Sequence, residues 1–163
     1  MPHDTLTTLA TIVGARLTER GLLLTTAESC TGGWVAQAVT AIAGSSEWFE
    51  RGFVTYSNEA KMEMLGVSSD TLEAHGAVSE QTAREMASGA LAHSRAQVAL
   101  SITGVAGPTG GTAQKPVGMV CFGWAGAGGE VNTVTRNFTG NRDSVRRQAV
   151  ICALQGVLER LEG

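Results

Sequence analysis

The chain has 163 residues, 43% hydrophobic and 17% charged, with a formal net charge of −3, which predicts one domain spanning residues 1–163. The acidic balance, without a basic cluster or a long apolar run, argues against a nucleic-acid partner and against a membrane span. Three cysteines without CxxC spacing and an N-terminus without a leader pattern argue against disulfides, a zinc site and secretion, and so predict a cytoplasmic protein.

The first third of the chain alternates helix and strand patterns. Apolar residues at helical spacing from Leu6 to Leu17 predict a helix that ends at Gly21. The segment Leu22 to Ala27 is mostly apolar, as is typical of a buried parallel strand. A second helix is expected to begin at Cys30 or Thr31 and to end near residue 44.

The middle third continues this alternation. The β-forming residues between Arg51 and Ser57 predict a second strand. Asn58 is the expected cap of a helix that ends at Gly66, and a short helix is expected to end at His75. Ser79 is the candidate cap of a longer helix over residues 80–94.

The last third predicts a strand from Gln97 to Thr103, a glycine-rich loop to Thr112, a hairpin over 117–124 and 131–138, and a final helix from Arg142 to Leu161. Strands linked by helices and followed by a hairpin imply a mostly parallel sheet with one antiparallel member and helices on both faces. If the first strand is central, Ser29, Tyr56 and the 103–112 loop meet at one crevice.

Ser29 is a candidate nucleophile, because it follows the first strand at a turn whose N–H groups suit an oxyanion or a phosphate. A cap of the following helix is its alternative role. Among the three histidines, His3 and His93 are poorly placed to activate it, and His75 has a loop or capping role as its alternative. A Ser-His-Asp triad therefore has little support.

Lys61 is the better candidate base, because it is expected in the first turn of the helix after the second strand. The helix dipole there disfavours the charged amine by about 0.3–1 kcal/mol. A base that works near neutral pH needs a pKa about three units below the reference of about 10.4, so most of the shift must come from desolvation. An exposed lysine is the alternative. Tyr56 is a candidate to relay a proton or to orient the lysine, and a half-buried strand aromatic is its alternative.

Three further features leave alternatives open. Cys30 is either a rival nucleophile or a small buried residue. The 104–111 loop is either a phosphate cradle or a turn-rich connection. Three arginines at the start of the last helix either bind phosphate or pair locally with Asp143; they are Arg142, Arg146 and Arg147.

Taken together, the motifs resemble the CinA C-terminal domain family, and most closely its stand-alone members, the nicotinamide-nucleotide amidases. The likeness extends from about Leu6 to Leu161. The segments that carry it are AESCTGG (27–33), GFVTYSNEAK (52–61), HGAVS (75–79), TGVAGP (103–108) and RDSVRR (142–147).

The resemblance implies an α/β fold, a three-layer α/β/α sandwich with a mixed, mostly parallel five-stranded sheet. It also implies hydrolysis of the carboxamide of nicotinamide mononucleotide (NMN), with Ser29 as nucleophile, Tyr56 and Lys61 as catalytic partners, and neither metal nor cofactor. Substrate-binding and oxyanion candidates are the two glycine turns and one arginine, namely Thr31, Gly32, Gly33, Thr103, Gly104, Ala106, Gly107 and Arg142.

Two other functions are consistent with the same motifs. One is a nucleotide-binding regulatory module without turnover, and the other is an amidase for a related amide. The sequence leaves the oligomeric state open, with a homo-oligomer among the candidates.

Overall fold

The computed structural model describes residues 4–162, which alternate between helix and strand. The helices of this range are α1 (Thr5–Arg20), α2 (Trp34–Thr40), α3 (Asn58–Leu65), α4 (Ser69–His75), α5 (Glu80–Ala92) and α6 (Arg142–Glu162). The strands are β1 (Leu24–Glu28), β2 (Phe49–Val54), β3 (Val98–Gly104), β4 (Met119–Gly126) and β5 (Val131–Asn137). A 3-10 turn, Ser45–Glu47, precedes β2.

The five strands form one sheet in the order β2-β1-β3-β4-β5. β1 is parallel to β2 and β3, whereas β4 is antiparallel to β3 and β5. Only β4 therefore runs against the common direction, which confirms the predicted mixed, mostly parallel sheet of the α/β class. β1 lies between β2 and β3, so the carboxyl ends of these three strands meet at one edge.

Helices cover both faces of the sheet, because alternate strand residues point to opposite sides. On one face, α1, α2 and α6 bury residues such as Leu17, Val35 and Leu154 with Leu100 of β3. On the other face, α5 packs with the end of α3 against a layer of small residues. A Cβ at Gly123 would lie 2.6 Å from the Ala83 carbonyl oxygen, so α5 lies almost on the backbone of β4.

The structure corrects several predicted boundaries. β2 covers Phe49–Val54 rather than the segment from Arg51 to Ser57. α2 begins at Trp34 rather than at Cys30 or Thr31, because Gly32 (φ 58°) and Gly33 (φ 102°) adopt left-handed conformations that a helix does not continue. It also ends at Thr40, before the predicted position near 44. The cap of α3 is Ser57, whose Oγ accepts a hydrogen bond from the Ala60 N–H at 3.0 Å, and not Asn58.

Local signals gave the correct ends elsewhere. Gly21 and Gly66 terminate α1 and α3 in the left-handed conformation. Ser79 caps α5 by accepting from the Thr82 N–H at 3.0 Å. Between residues 4 and 162, every helix is too short or too polar to cross a membrane.

Candidate active site

A crevice of about 250 Å³ opens at the carboxyl ends of β1, β2 and β3. Its lining residues come from five parts of the chain: Ser29, Cys30, Tyr56, Lys61, Ala77, Val78, Thr103, Gly104, Ala106 and Arg142. The predicted meeting of Ser29, Tyr56 and the start of the 103–112 loop is therefore confirmed. The cause is topological, since parallel strands on both sides of β1 place their following loops on the same edge.

The centre of the crevice is a contact between Ser29 and Lys61. The Lys61 side chain is 1% exposed, and its Nζ lies 3.0 Å from the Ser29 Oγ. The same Nζ donates to the carbonyl oxygens of Thr55 at 3.0 Å and Tyr56 at 3.2 Å. A neutral amine has two N–H bonds and one lone pair, so two donations to carbonyls leave the lone pair for the Ser29 hydroxyl. This is the geometry that a general base for Ser29 requires.

The surroundings of Lys61 favour the neutral amine. Burial lowers the pKa of Lys61, and the weaker opposing influence comes from the Cys30 thiol. The ion pairs among residues 4–162 do not involve Lys61, so no carboxylate offsets the cost of burying its charge. Lys61 is the fourth residue of α3, where the helix dipole acts in the same direction.

Cys30 lies beside Ser29 but is poorly suited to act as the nucleophile. Its side chain is 6% exposed, and burial raises the pKa of the thiol to about 12. Five pKa units above neutral pH leave a thiolate fraction of about 10⁻⁵. The small buried residue is thus the alternative that the structure favours for Cys30.

The described histidines lie outside the crevice lining. His75 is exposed, and its carbonyl oxygen accepts a hydrogen bond from the Lys115 ammonium. The Nδ1 of His93 lies 2.8 Å from the Gly89 carbonyl oxygen at the end of α5. His3 lies outside the described residues. His75 is the last residue of α4, so the structure places it at a helix end rather than in the loop.

Tyr56 stands at the mouth of the crevice with 65% of its surface exposed, rather than half-buried in a strand. Its backbone carbonyl, and not its hydroxyl, makes the contact with Lys61. The residue therefore orients the lysine through the main chain. A proton relay through the phenol stays a prediction.

The turn after Ser29 does not present Thr31, Gly32 or Gly33 to the crevice, since none of them is a lining residue. Thr31 is fully buried, and its hydroxyl donates to Glu28 Oε1 at 2.6 Å. The side chain of Thr31 thus supports the turn and is turned away from any substrate in the crevice.

Glu28 is the structural residue that sequence reasoning missed. It is 1% exposed, and its carboxylate accepts from the N–H groups of Val35 at 2.9 Å and Ala36 at 3.1 Å as well as from Thr31. Its carbonyl oxygen accepts from the Thr55 N–H at 2.8 Å, which ties the Ser29 turn to the segment that holds Lys61. An acidic residue shortly before a helix was the signal that could have identified it.

Glu28→Gln is expected to lower the free energy of unfolding by about 3 kcal/mol, because an amide has one acceptor oxygen for three donors and leaves a buried donor unpaired. Urea unfolding of the variant beside wild type measures the loss. Glu63→Gln is the matched control, since Glu63 is exposed on α3. Equal stability of the two variants would show that the carboxylate does not hold the turn.

The opposite wall of the crevice comes from the end of β3, the loop after it and the first residue of α6. The Thr103 hydroxyl donates to the Ala77 carbonyl oxygen at 2.7 Å, and Arg142 Nη1 donates to the Gly107 carbonyl oxygen at 2.7 Å. Gly104, Ala106 and Arg142 line the crevice, whereas Gly107 supports it from behind. Arg142 therefore places a cation at the crevice, and substrate binding by this residue stays a prediction.

Several lining residues carry backbone N–H groups without a protein partner within residues 4–162, and two of these, on Cys30 and Ala106, are our candidates for an oxyanion hole. The Ser29 N–H is already used, because it donates to the Ile102 carbonyl oxygen at 3.0 Å. The N–H groups of Cys30 and Ala106 belong to lining residues and donate to no protein atom within residues 4–162. A donor directly after the nucleophile, with a second from another loop, is a common oxyanion arrangement in serine hydrolases. Within the same residues, no cluster of three acidic, cysteine or histidine side chains could hold a metal ion.

Comparison with known proteins gives matches over nearly the whole chain. The model of the CinA C-terminal domain matches residues 6–161. A curated relative from Escherichia coli K12, named nicotinamide-nucleotide amidohydrolase PncC, is 59% identical over 155 residues, 95% of this chain and 94% of the relative. A relative of the same name from Pseudomonas putida is 49% identical over 96% of this chain and 97% of its own length.

Solved structures share the fold. The competence/damage inducible protein CihA from Agrobacterium tumefaciens has a TM-score of 0.94 and 46% identity, with 100% of this chain and 99% of that chain covered. A CinA superfamily protein from Klebsiella pneumoniae has a TM-score of 0.93 and 42% identity, with 98% of this chain and 99% of that chain covered.

A longer relative is also similar in sequence. It is a putative competence-damage inducible protein from Symbiobacterium thermophilum, 52% identical over 96% of this chain, which corresponds to 38% of its own length.

Proposed function

The chain belongs to the CinA C-terminal domain family, and from this premise we propose that it is a nicotinamide-nucleotide amidohydrolase. Its reaction is the hydrolysis of the carboxamide of NMN to nicotinic acid mononucleotide and ammonia. Support comes from the PncC relatives, which match 95% and 96% of this chain at 59% and 49% identity. The observation that carries the proposal is the 3.0 Å contact between the buried amine of Lys61 and the Ser29 hydroxyl.

Acylation begins when neutral Lys61 accepts the proton of the Ser29 hydroxyl and the Ser29 Oγ forms a bond to the amide carbon. The carbonyl oxygen becomes an oxyanion, which the N–H groups of Cys30 and Ala106 stabilise. One such donor is typically worth about 2.7–4 kcal/mol. The Lys61 ammonium then gives its proton to the amide nitrogen, the C–N bond breaks, and ammonia leaves an ester on Ser29.

Deacylation repeats these steps with water. Neutral Lys61 takes a proton from a water molecule, whose oxygen attacks the ester carbon. The second oxyanion collapses, the Ser29 Oγ leaves with the proton from Lys61, and nicotinic acid mononucleotide is released. The carbonyl oxygens of Thr55 and Tyr56 hold the Lys61 amine in place throughout, and Arg142 is the candidate partner of the substrate phosphate.

The proposal is tested by measuring ammonia and nicotinic acid mononucleotide released from NMN by the purified protein, with and without EDTA. We expect turnover in both conditions, and slower turnover of nicotinamide riboside, which lacks the phosphate. A ligand-induced rise in melting temperature without ammonia would favour the regulatory module instead. Turnover of another amide but not of NMN would show an amidase of different specificity.

A further inference from the structure

An arginine that is distant in sequence forms hydrogen bonds to the backbone of the turn that carries Ser29. Arg146, on α6, donates from Nε to the carbonyl oxygen of Cys30 at 3.0 Å and from Nη2 to that of Thr31 at 3.1 Å. Its guanidinium carbon lies 5.4 Å from the centre of the Trp34 ring, so a cation–π contact fixes the side chain. Arg146 thus binds two successive peptide groups of the turn after Ser29, those that join Cys30 to Thr31 and Thr31 to Gly32.

Glu28 and Arg146 satisfy complementary groups of this turn. The carboxylate accepts from the N–H groups of Val35 and Ala36 and from the Thr31 hydroxyl, whereas the guanidinium donates to carbonyl oxygens. In a planar trans peptide the C=O and the following N–H point in opposite directions. Pinning the carbonyl groups of Cys30 and Thr31 therefore fixes the N–H groups of Thr31 and Gly32. The Gly32 N–H in turn donates to the Ser29 carbonyl oxygen at 3.0 Å. Because the Ser29 carbonyl shares its peptide plane with the Cys30 N–H, Arg146 holds that N–H through Gly32.

We propose that Arg146 is a positioning residue for acyl transfer at Ser29, an inference that rests on the proposed function. It holds the Cys30 N–H where the oxyanion forms and places a positive charge behind the turn. This positioning stabilises the transition state more than the bound substrate, because the oxyanion beside the turn forms only when Ser29 attacks the amide carbon. The effect of Arg146 is therefore on the rate of bond formation rather than on substrate affinity.

Two observations separate Arg146 from a phosphate ligand. It is not a lining residue of the crevice, whereas Arg142 is. Its Nε and Nη2 are also already used by Cys30 and Thr31. The influence of Arg146 on the neighbouring thiol has the expected sign, since its charge lowers the pKa of Cys30 against the larger effect of burial.

The shape of the side chain matters as well as its charge. A guanidinium presents donors in a rigid planar fork that can span two successive carbonyl groups. A lysine at position 146 would keep the charge and the apolar stem against Trp34 but would replace the fork with a single ammonium. Arg146→Lys should therefore restore part of the function that Arg146→Ala loses.

The experiment compares Arg146→Ala, Arg146→Lys and the control Arg147→Ala in NMN hydrolysis. Arg147 is the next residue of α6, and its Nη2 pairs with the Asp4 carboxylate at 2.6 Å on the surface. For Arg146→Ala we expect kcat to fall about 30-fold with KM within about threefold, less than the 10²–10³ typical of removing a direct oxyanion donor. Arg146→Lys should lie between this variant and wild type, and Arg147→Ala within about twofold of wild type.

Three further readouts identify positioning as the cause. Added methylguanidine should raise the rate of NMN hydrolysis by Arg146→Ala. The pH midpoint of kcat/KM should be the same in this variant and in wild type, because Lys61 does not contact Arg146. Phosphonylation of Ser29 by a fluorophosphonate should slow in parallel with kcat, since its adduct uses the same oxyanion site. Circular dichroism shows whether each variant is folded. If Arg146→Ala does not fold, the comparison of Arg146→Lys with wild type tests the positioning role.

The inference would be overturned if folded Arg146→Ala matched wild type both in the rate of phosphonylation and in the rate of turnover. The same result for folded Arg146→Lys would also overturn it. A raised KM with unchanged kcat would do so too, because it would identify a substrate-binding residue. If wild type is phosphonylated but does not hydrolyse NMN, only the proposed function fails, and the phosphonylation rates still decide the role of Arg146. A wild type inert in both assays overturns both proposals.

Discussion

Ser29→Ala is expected to lower kcat for NMN hydrolysis by a factor on the order of 10⁴ or more, since serine hydrolases that lose their nucleophile fall to the residual rate of the oxyanion hole and binding. The physical reason is that alanine has no atom to form the acyl bond. Ammonia release and product formation by the purified variant measure the effect. The fold should survive, because the contact that Ser29 Oγ makes is with Lys61.

Cys30→Ala is the matched control for the neighbouring nucleophile. It removes the thiol, keeps the backbone N–H at the crevice, and should retain activity within a few-fold of wild type, because the pKa of about 12 leaves little thiolate at neutral pH. In wild type, mass spectrometry of a quenched reaction should place the acyl adduct on the peptide that contains Ser29. An active Ser29→Ala together with an inactive Cys30→Ala would assign the chemistry to the thiol.

The sequence predicted those parts of the fold that local signals determine. Gly21 and Gly66 end their helices because the left-handed conformation suits glycine, and Ser79 caps α5 through its own side chain. The start of α2 was predicted wrongly because a Thr–Gly–Gly run is compatible both with a cap and with a longer turn. Helical periodicity does not distinguish them, and the contacts of Glu28 determine the outcome.

The candidate site was predictable only as far as topology allowed. Ser29 and Lys61 could be paired because helix-linked parallel strands place successive loops on one edge. The depth at which Lys61 is buried depends on packing between distant segments. The role proposed for Arg146 depends on its contact with Cys30, 116 residues away in the sequence. The sequence does not predict this contact, because a charged residue near the start of a helix can have many roles. Tyr56 illustrates the same limit, because its carbonyl rather than its phenol meets the lysine.

Lys61→Met is expected to lower kcat/KM by a factor of about 10²–10⁴, the usual contribution of a positioned general base. Methionine keeps much of the volume of the side chain but has no lone pair that can take the Ser29 proton. In wild type, kcat/KM should rise with pH through the pKa of Lys61, because only the neutral amine is active and burial lowers that pKa below its ordinary value of 10.5. The variant should lose this rise, and a rate profile with the same midpoint in both proteins would show that another group is the base.

The same substitution has a consequence for stability whose sign follows from proton binding. The folded chain binds the Lys61 proton more weakly than the unfolded chain, because burial lowers the pKa in the folded state. Between the lowered pKa and 10.5, the unfolded chain is therefore the better proton acceptor, and wild type gains up to about 1.36 kcal/mol of unfolding free energy per pH unit. Lys61→Met lacks this gain.

Urea unfolding of wild type and Lys61→Met at a series of pH values tests this coupling. The difference in unfolding free energy, wild type minus variant, should grow as the pH rises towards 10.5 and then level off. A constant difference would mean that the ammonium is as well accommodated in the fold as in water, and Lys61 would then be charged at neutral pH. The stability lost by burying the amine and the neutral state of Lys61 that Ser29 requires thus have one physical origin, the exclusion of water from the Lys61 side chain.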